Sequence, residues 1–132
     1  MTTRAAFIPV DANQVMPYLT VTDGKRLLDF LVGVFDAAVV RRHEESDGRL
    51  AHAAVRIGDS IIELSDASAE WGPTPAALHL YVPDVEATYR KALDHGATSL
   101  HAPMDQEYGE RSCAVQDPLG NKWYVATPIS KP

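Results

Sequence analysis

Three side chains of this sequence pair metal-ligating or acid–base chemistry with strand-like spacing: His52, Glu63 and His79. Two imidazoles and a carboxylate with open positions suit a divalent metal. The same groups can instead hydrogen-bond inside a ligand-binding cup, with no metal between them. Tyr18, Tyr81 and Tyr124 can offer aromatic faces to an apolar or cationic guest. Arg111 ends the polar run Gln106-Glu107-Tyr108-Gly109-Glu110 and can hold an anionic group or pair with Glu107 or Glu110. Cys113 is the single cysteine, so no intramolecular disulfide is expected. No local histidine or helix start activates it, and it reads as a buried, inert thiol. Trp123 reads as structural. Trp71 does too, or it lids a pocket from a linker, while His43, His95 and His101 read as surface residues. No catalytic residue is assigned.

The elements that must hold these residues come in two copies. Tyr18-Leu19-Thr20-Val21-Thr22-Asp23 returns as His79-Leu80-Tyr81-Val82-Pro83-Asp84, and each copy leads into a helix-like run. In the first, Val15 to Thr22 alternates as a strand, with Leu19 and Val21 on one side and Met16, Tyr18 and Thr20 on the other. An apolar stripe of Leu27, Leu28, Phe30, Leu31 and Phe35 predicts a helix. Ala38 to Glu45 and Leu50 to Ile57 predict a hairpin about Ser46-Asp47-Gly48, and Ser60 to Ser65 a third strand after Gly58-Asp59. The second copy runs from a strand over Ala77 to Val82 into a helix capped by Asp84 and stopped by Gly96. A brief strand over Thr98 to His101 precedes a polar loop from Pro103 to Glu110. Strands over Arg111 to Gln116 and Lys122 to Ala126 close the unit around the turn Asp117-Pro118-Leu119-Gly120-Asn121.

The resulting division is a lead-in over 1–14, a first βαβββ module over 15–66, a linker over 67–75, a second module over 76–128 and a tail over 129–132. The fold class is α+β: two βαβββ modules forming a curved, cup-shaped mixed sheet with helices on the outer face. Tyr18, Glu63, His79 and Tyr124 fall on the face away from the helices, where a sheet can curve around a ligand.

Composition narrows the partners. The chain has 132 residues and a formal net charge of -6, which argues against nucleic acid or an anionic membrane surface. No apolar run approaches the ~20 residues of a membrane span, and no charged-then-apolar leader is seen. A cytoplasmic protein is expected.

The paired βαβββ plan, the Val-x-Asp strand ends, Phe35-Asp36-Ala37 and the Asp117 to Asn121 turn resemble the vicinal oxygen chelate superfamily. That group includes glyoxalases, extradiol dioxygenases, and fosfomycin- and bleomycin-resistance proteins. Pro17 to Thr20, Arg56 to Asp66 and Leu78 to Val82 are similar to its PhnB-type branch. The resemblance implies four metal-ligand positions, which here carry Met16, Glu63, Ala77 and Tyr124. A thioether is a poor ligand for a hard divalent ion and a methyl is none. The expectation is therefore a small-molecule binding protein that has lost most of the family metal site. It carries no cofactor, works as a homodimer, and takes its ligand on Tyr18, His52, Glu63, His79, Tyr81, Arg111 and Tyr124. The alternative is a metal-dependent lyase, isomerase or dioxygenase using divalent metal at a displaced His52/Glu63/His79 site. A third reading is a structural or regulatory dimer with a vestigial cup.

Overall fold

The computed structural model describes residues 5–129. The first four residues of the expected lead-in and the last three of the expected tail lie outside the described residues. Strand β1 (Tyr18–Val21), helix α1 (Gly24–Phe35) and strands β2 (Ala38–Glu44), β3 (Leu50–Ile57) and β4 (Ser60–Asp66) form the first unit. Strand β5 (Ala77–Tyr81), helix α2 (Val85–Asp94) and strands β6 (Thr98–Asp105), β7 (Glu110–Gln116) and β8 (Lys122–Pro128) repeat that order. Each unit makes its own four-stranded mixed sheet, β1-β4-β3-β2 and β5-β8-β7-β6. In each, the first strand pairs parallel with the last and the other pairings are antiparallel. The fold is α+β with two unclosed sheets.

Helix α1 forms because its apolar positions recur at helical spacing: Leu27, Leu28, Leu31, Val34 and Phe35 are all buried. Asp23 caps its start by accepting the Arg26 N–H, and Asp36 ends it in the left-handed region at φ 56°. Asp84 accepts the Ala87 N–H at the start of α2, and Gly96 follows its end at φ 95°. Both expected signals of the second helix hold. Alternate residues of each sheet point to one shared core, Leu19, Val21, Val55 and Leu64 from the first and Cys113, Val115, Trp123 and Val125 from the second. Phe35 of α1 meets Trp123 of β8 with ring centroids 4.8 Å apart, so the two units share packing.

Two carboxylates lock the turns. Asp66 accepts the Gly24 N–H at 2.6 Å and the Leu50 N–H at 2.9 Å, joining the end of β4 to the starts of α1 and β3. Asp117 accepts from the Leu119 and Asn121 backbone, from the Asn121 amide and from the Trp123 indole, while Asn121 in turn accepts the Ala76 N–H. Asp117 and Asn121 are buried with these bonds made, as buried polar groups must be.

Three differences from the expected boundaries bear on the site. Strand β1 is only four residues long, because Pro17 precedes it and meets β4 through its carbonyl, which accepts the Glu63 N–H. Strand β6 runs on to Asp105, and the expected loop over 103–110 shrinks to residues 106–109. Pro103 is tolerated because β6 is an edge strand and its ladder shifts register between His101 and Met104. Strand β7 accordingly begins at Glu110, one residue earlier than expected.

Candidate functional site

The strand registers decide which residues share the face away from the helices. In the first sheet Tyr18 lies beside Glu63, and Glu63 beside Ala54. His52 and Ser65 have the same parity as Ala54 and Glu63 and join this face. In the second, His79 lies beside Tyr124 and Tyr124 beside Ala114, while Tyr81 neighbours Ala126 and Ala126 neighbours Ser112. Small residues in the middle of each face leave a shallow floor, with the larger polar and aromatic groups standing on it.

On each face one histidine is hydrogen-bonded to a carboxylate, while His43 neighbours His52 and His101 neighbours Ala114 on the same two faces. His52 Nε2 lies 2.9 Å from Glu63 Oε1, and the Tyr18 and His52 rings are 6.1 Å apart. His79 Nε2 lies 3.1 Å from Glu110 Oε2, and Tyr81 donates its hydroxyl to Glu110 Oε1 at 3.2 Å. The His79 and Tyr81 rings are 4.7 Å apart. Glu110 raises the Tyr81 pKa, first through that hydrogen bond and then through its charge. A carboxylate on Nε2 orients each ring and leaves Nδ1 to face another group. Tyr124 is exposed beside His79.

This arrangement divides the expected trio of His52, Glu63 and His79 between two pairs. Among the described residues no three His, Cys, Asp or Glu side chains come together as an ion would require. The four positions implied by the family likeness do not fit a metal either. Met16 lies before β1 near Phe7 and Ile8, Ala77 sits opposite Lys122, and Tyr124 carries a phenol. Glu63 is the one hard-ion ligand of that set, and it is engaged with His52.

A cleft of about 460 Å³ opens at one end of the first sheet, lined by Tyr18, Thr20, Arg49, Ser65, Asp66 and Trp71 among others. Trp71 sits on a tied loop. Its N–H reaches Ser68 Oγ at 3.0 Å, its carbonyl accepts the Ser68 N–H at 2.8 Å, and Thr74 N–H bonds Thr20 O at 2.9 Å. Trp71 therefore borders a pocket, whereas Trp123 is buried with its indole N–H on Asp117.

Arg111 stands elsewhere. It shares the parity of Cys113 and Val115, so it faces α2 and not the tyrosine-bearing side. It pairs with Glu86 and Asp105 at 3.0 Å each, not with Glu107 or Glu110, and Glu86 is the main cause of its raised pKa. Strand β6 extends far enough to bring Asp105 beside it, which the shorter strand expected from sequence did not allow. Cys113 is buried, and burial pushes its thiol up to about 11. His43 and His95 are exposed and His101 is half-buried. Glu110 is a residue of this face that the expectation from sequence omits, because there it closes the loop and not the strand. The available signal was its parity with Ser112 and Ala114, one step further along the same strand.

Comparisons with known proteins agree with this architecture. Residues 12–125 match the family described as the Glyoxalase/Bleomycin resistance protein/Dioxygenase superfamily. An uncharacterized protein of Mycobacterium bovis is 37% identical over 124 residues, covering 86% of this chain and 82% of its own. The fold is similar to that of TioX from Micromonospora sp. ML1, at 24% identity and a TM-score of 0.74 over 89% of this chain and 100% of that one. It is also similar to the PhnB protein from Bacillus cereus, at 14% identity and a TM-score of 0.72 over 87% and 99% of the two chains. Two βαβββ units in tandem and a family match over residues 12–125 place this chain in the glyoxalase/bleomycin resistance/dioxygenase superfamily, also called the vicinal oxygen chelate superfamily.

Proposed function

We propose that this protein binds a small molecule on the two tyrosine-bearing sheet faces, without a resident metal. One observation carries this reading: each face presents a histidine already held by a carboxylate, His52 by Glu63 and His79 by Glu110. A histidine oriented through Nε2 is a directed hydrogen-bonding group at Nδ1, and the neighbouring tyrosines add apolar area with a polar edge. Polar anchors among aromatic side chains are the usual make-up of a ligand pocket. Tyr18, Tyr81 and Tyr124 remain largely exposed in the single chain. A second copy laid against these faces would cover them, which supports a homodimer. A cytoplasmic site of action fits the lone buried thiol and the acidic balance.

A thermal-shift screen of aromatic and cationic compounds on the tag-free protein tests the proposal, because a ligand bound by the folded state raises its melting temperature. Hits should lose their shift in His52→Ala or His79→Ala while the unliganded variants stay folded. Elemental analysis of the same preparation is the counter-test. A stoichiometric divalent ion that is lost in His79→Ala would replace this reading with a metal-dependent lyase, isomerase or dioxygenase.

A further inference from the structure

Resting on the binding role just proposed, we infer that the cleft beneath Trp71 is a subsite for a planar aromatic acid. The indole is the first argument. Trp71 is 70% exposed although its loop is tied both to Ser68 and to β1, so the ring is held out over the cleft and not packed away. Tyr18, itself 47% exposed, stands in the same cleft. Thr20 and Ser65 line the same cleft with short side chains, leaving room for a flat ring that either aromatic can cover. A volume of about 460 Å³ lies within the range of small-molecule pockets, about 300–1,000 Å³.

Charge decides the class of guest. Two charged side chains line the cleft, Arg49 and Asp66. Both Asp66 oxygens accept backbone N–H groups, from Gly24 and from Leu50, so each is already tied to the backbone. Arg49 has a much looser partner. Its Nη2 lies 3.7 Å from Glu45 Oε1, beyond good hydrogen-bond length, and both side chains are over 40% exposed. The guanidinium fork is therefore only loosely held and can turn to take a carboxylate in bidentate fashion. A cation would meet an engaged carboxylate and a loosely held guanidinium.

Three probes of one shape but different charge test this: 2-naphthoate, the neutral 2-naphthamide and the cationic 2-naphthylmethylamine. Each is titrated calorimetrically into the protein, with indole fluorescence followed in parallel. Trp123 is buried, so a ligand beneath Trp71 reports through Trp71. Naphthoate should bind about tenfold tighter than the amide, the gain expected of one charge-assisted contact. Arg49→Gln should erase that preference, and Trp71→Leu should weaken naphthoate about fivefold and remove the fluorescence change. Both substitutions lie at exposed positions, and circular dichroism with the melting temperature confirms that each variant folds. Equal affinity for the three probes, tighter binding of the amine, full affinity in Trp71→Leu, or no binding of any probe would each overturn the subsite. The wider binding role fails separately, when compounds from the thermal-shift screen are indifferent to His52→Ala and His79→Ala.

Discussion

Tyr81 of β5 donates its hydroxyl to Glu110 of β7 at 3.2 Å, across the intervening strand β8. Because the carboxylate favours the neutral phenol, the Tyr81 pKa lies above its ordinary value of 10.0. A group whose folded pKa is raised contributes stability that is whole below its unfolded value and fades as pH climbs through the folded one. Alkaline titration followed by phenolate absorbance should therefore show one tyrosine ionising late. In Glu110→Gln that tyrosine should return toward 10, and the loss of stability above pH 10 should be smaller. A late tyrosine that persists in Glu110→Gln would refute the assignment.

Asp117 is the most heavily bonded carboxylate of the fold, and its partners include the buried Asn121 and Trp123. Asp117→Ala leaves several of these donors without an acceptor, and we expect a loss of about 2–4 kcal/mol. Asp117→Asn keeps one acceptor oxygen and should cost less. Urea denaturation of both variants checks the order and the size.

Gly33 lies inside α1, where a Cβ would come 2.5 Å from His95 Nε2. Alanine is the better helix former by about 1 kcal/mol. The His95 ring must move to admit it, however, and its Nδ1 contact with the Lys91 carbonyl at 2.7 Å is then at risk. Gly33→Ala alone should be neutral or slightly destabilising. In a His95→Ala background the same change should stabilise by about 1 kcal/mol. Thermal or urea melts of the four proteins close the cycle, and a null coupling would remove the contact from the account.

Cys113 offers a simple check on the core. Its thiol is buried and pushed up to about 11, chiefly by that burial. A disulfide reagent at pH 8 should label the native protein far more slowly than the urea-unfolded chain, and the labelled fraction should track unfolding. Rapid native labelling would contradict the packing around β7.

Much of the fold was legible because its signals are local. The alternation of Leu19 and Val21, the Leu27 to Phe35 stripe, and Asp84 with Gly96 all name elements found in the structure. The internal repeat then supplied the order. The errors lie where the chain departs from local rules. A loop is expected to open at Pro103, but this proline sits at a register shift on an edge strand, and that difference conceals both the place of Glu110 and the Asp105 partner of Arg111. For the candidate site, the residue types were readable from parity, but their pairing was not. Which carboxylate reaches His79 depends on side-chain reach across β8, and no spacing in the sequence records that.

The two sheets repeat one topology with unlike chemistry. The first presents Tyr18, His52 and Glu63; the second presents His79, Tyr81, Tyr124 and a Glu110 with both oxygens occupied. Under the proposed binding role, matching folds with different furnishings would select different groups, so the two faces are not interchangeable.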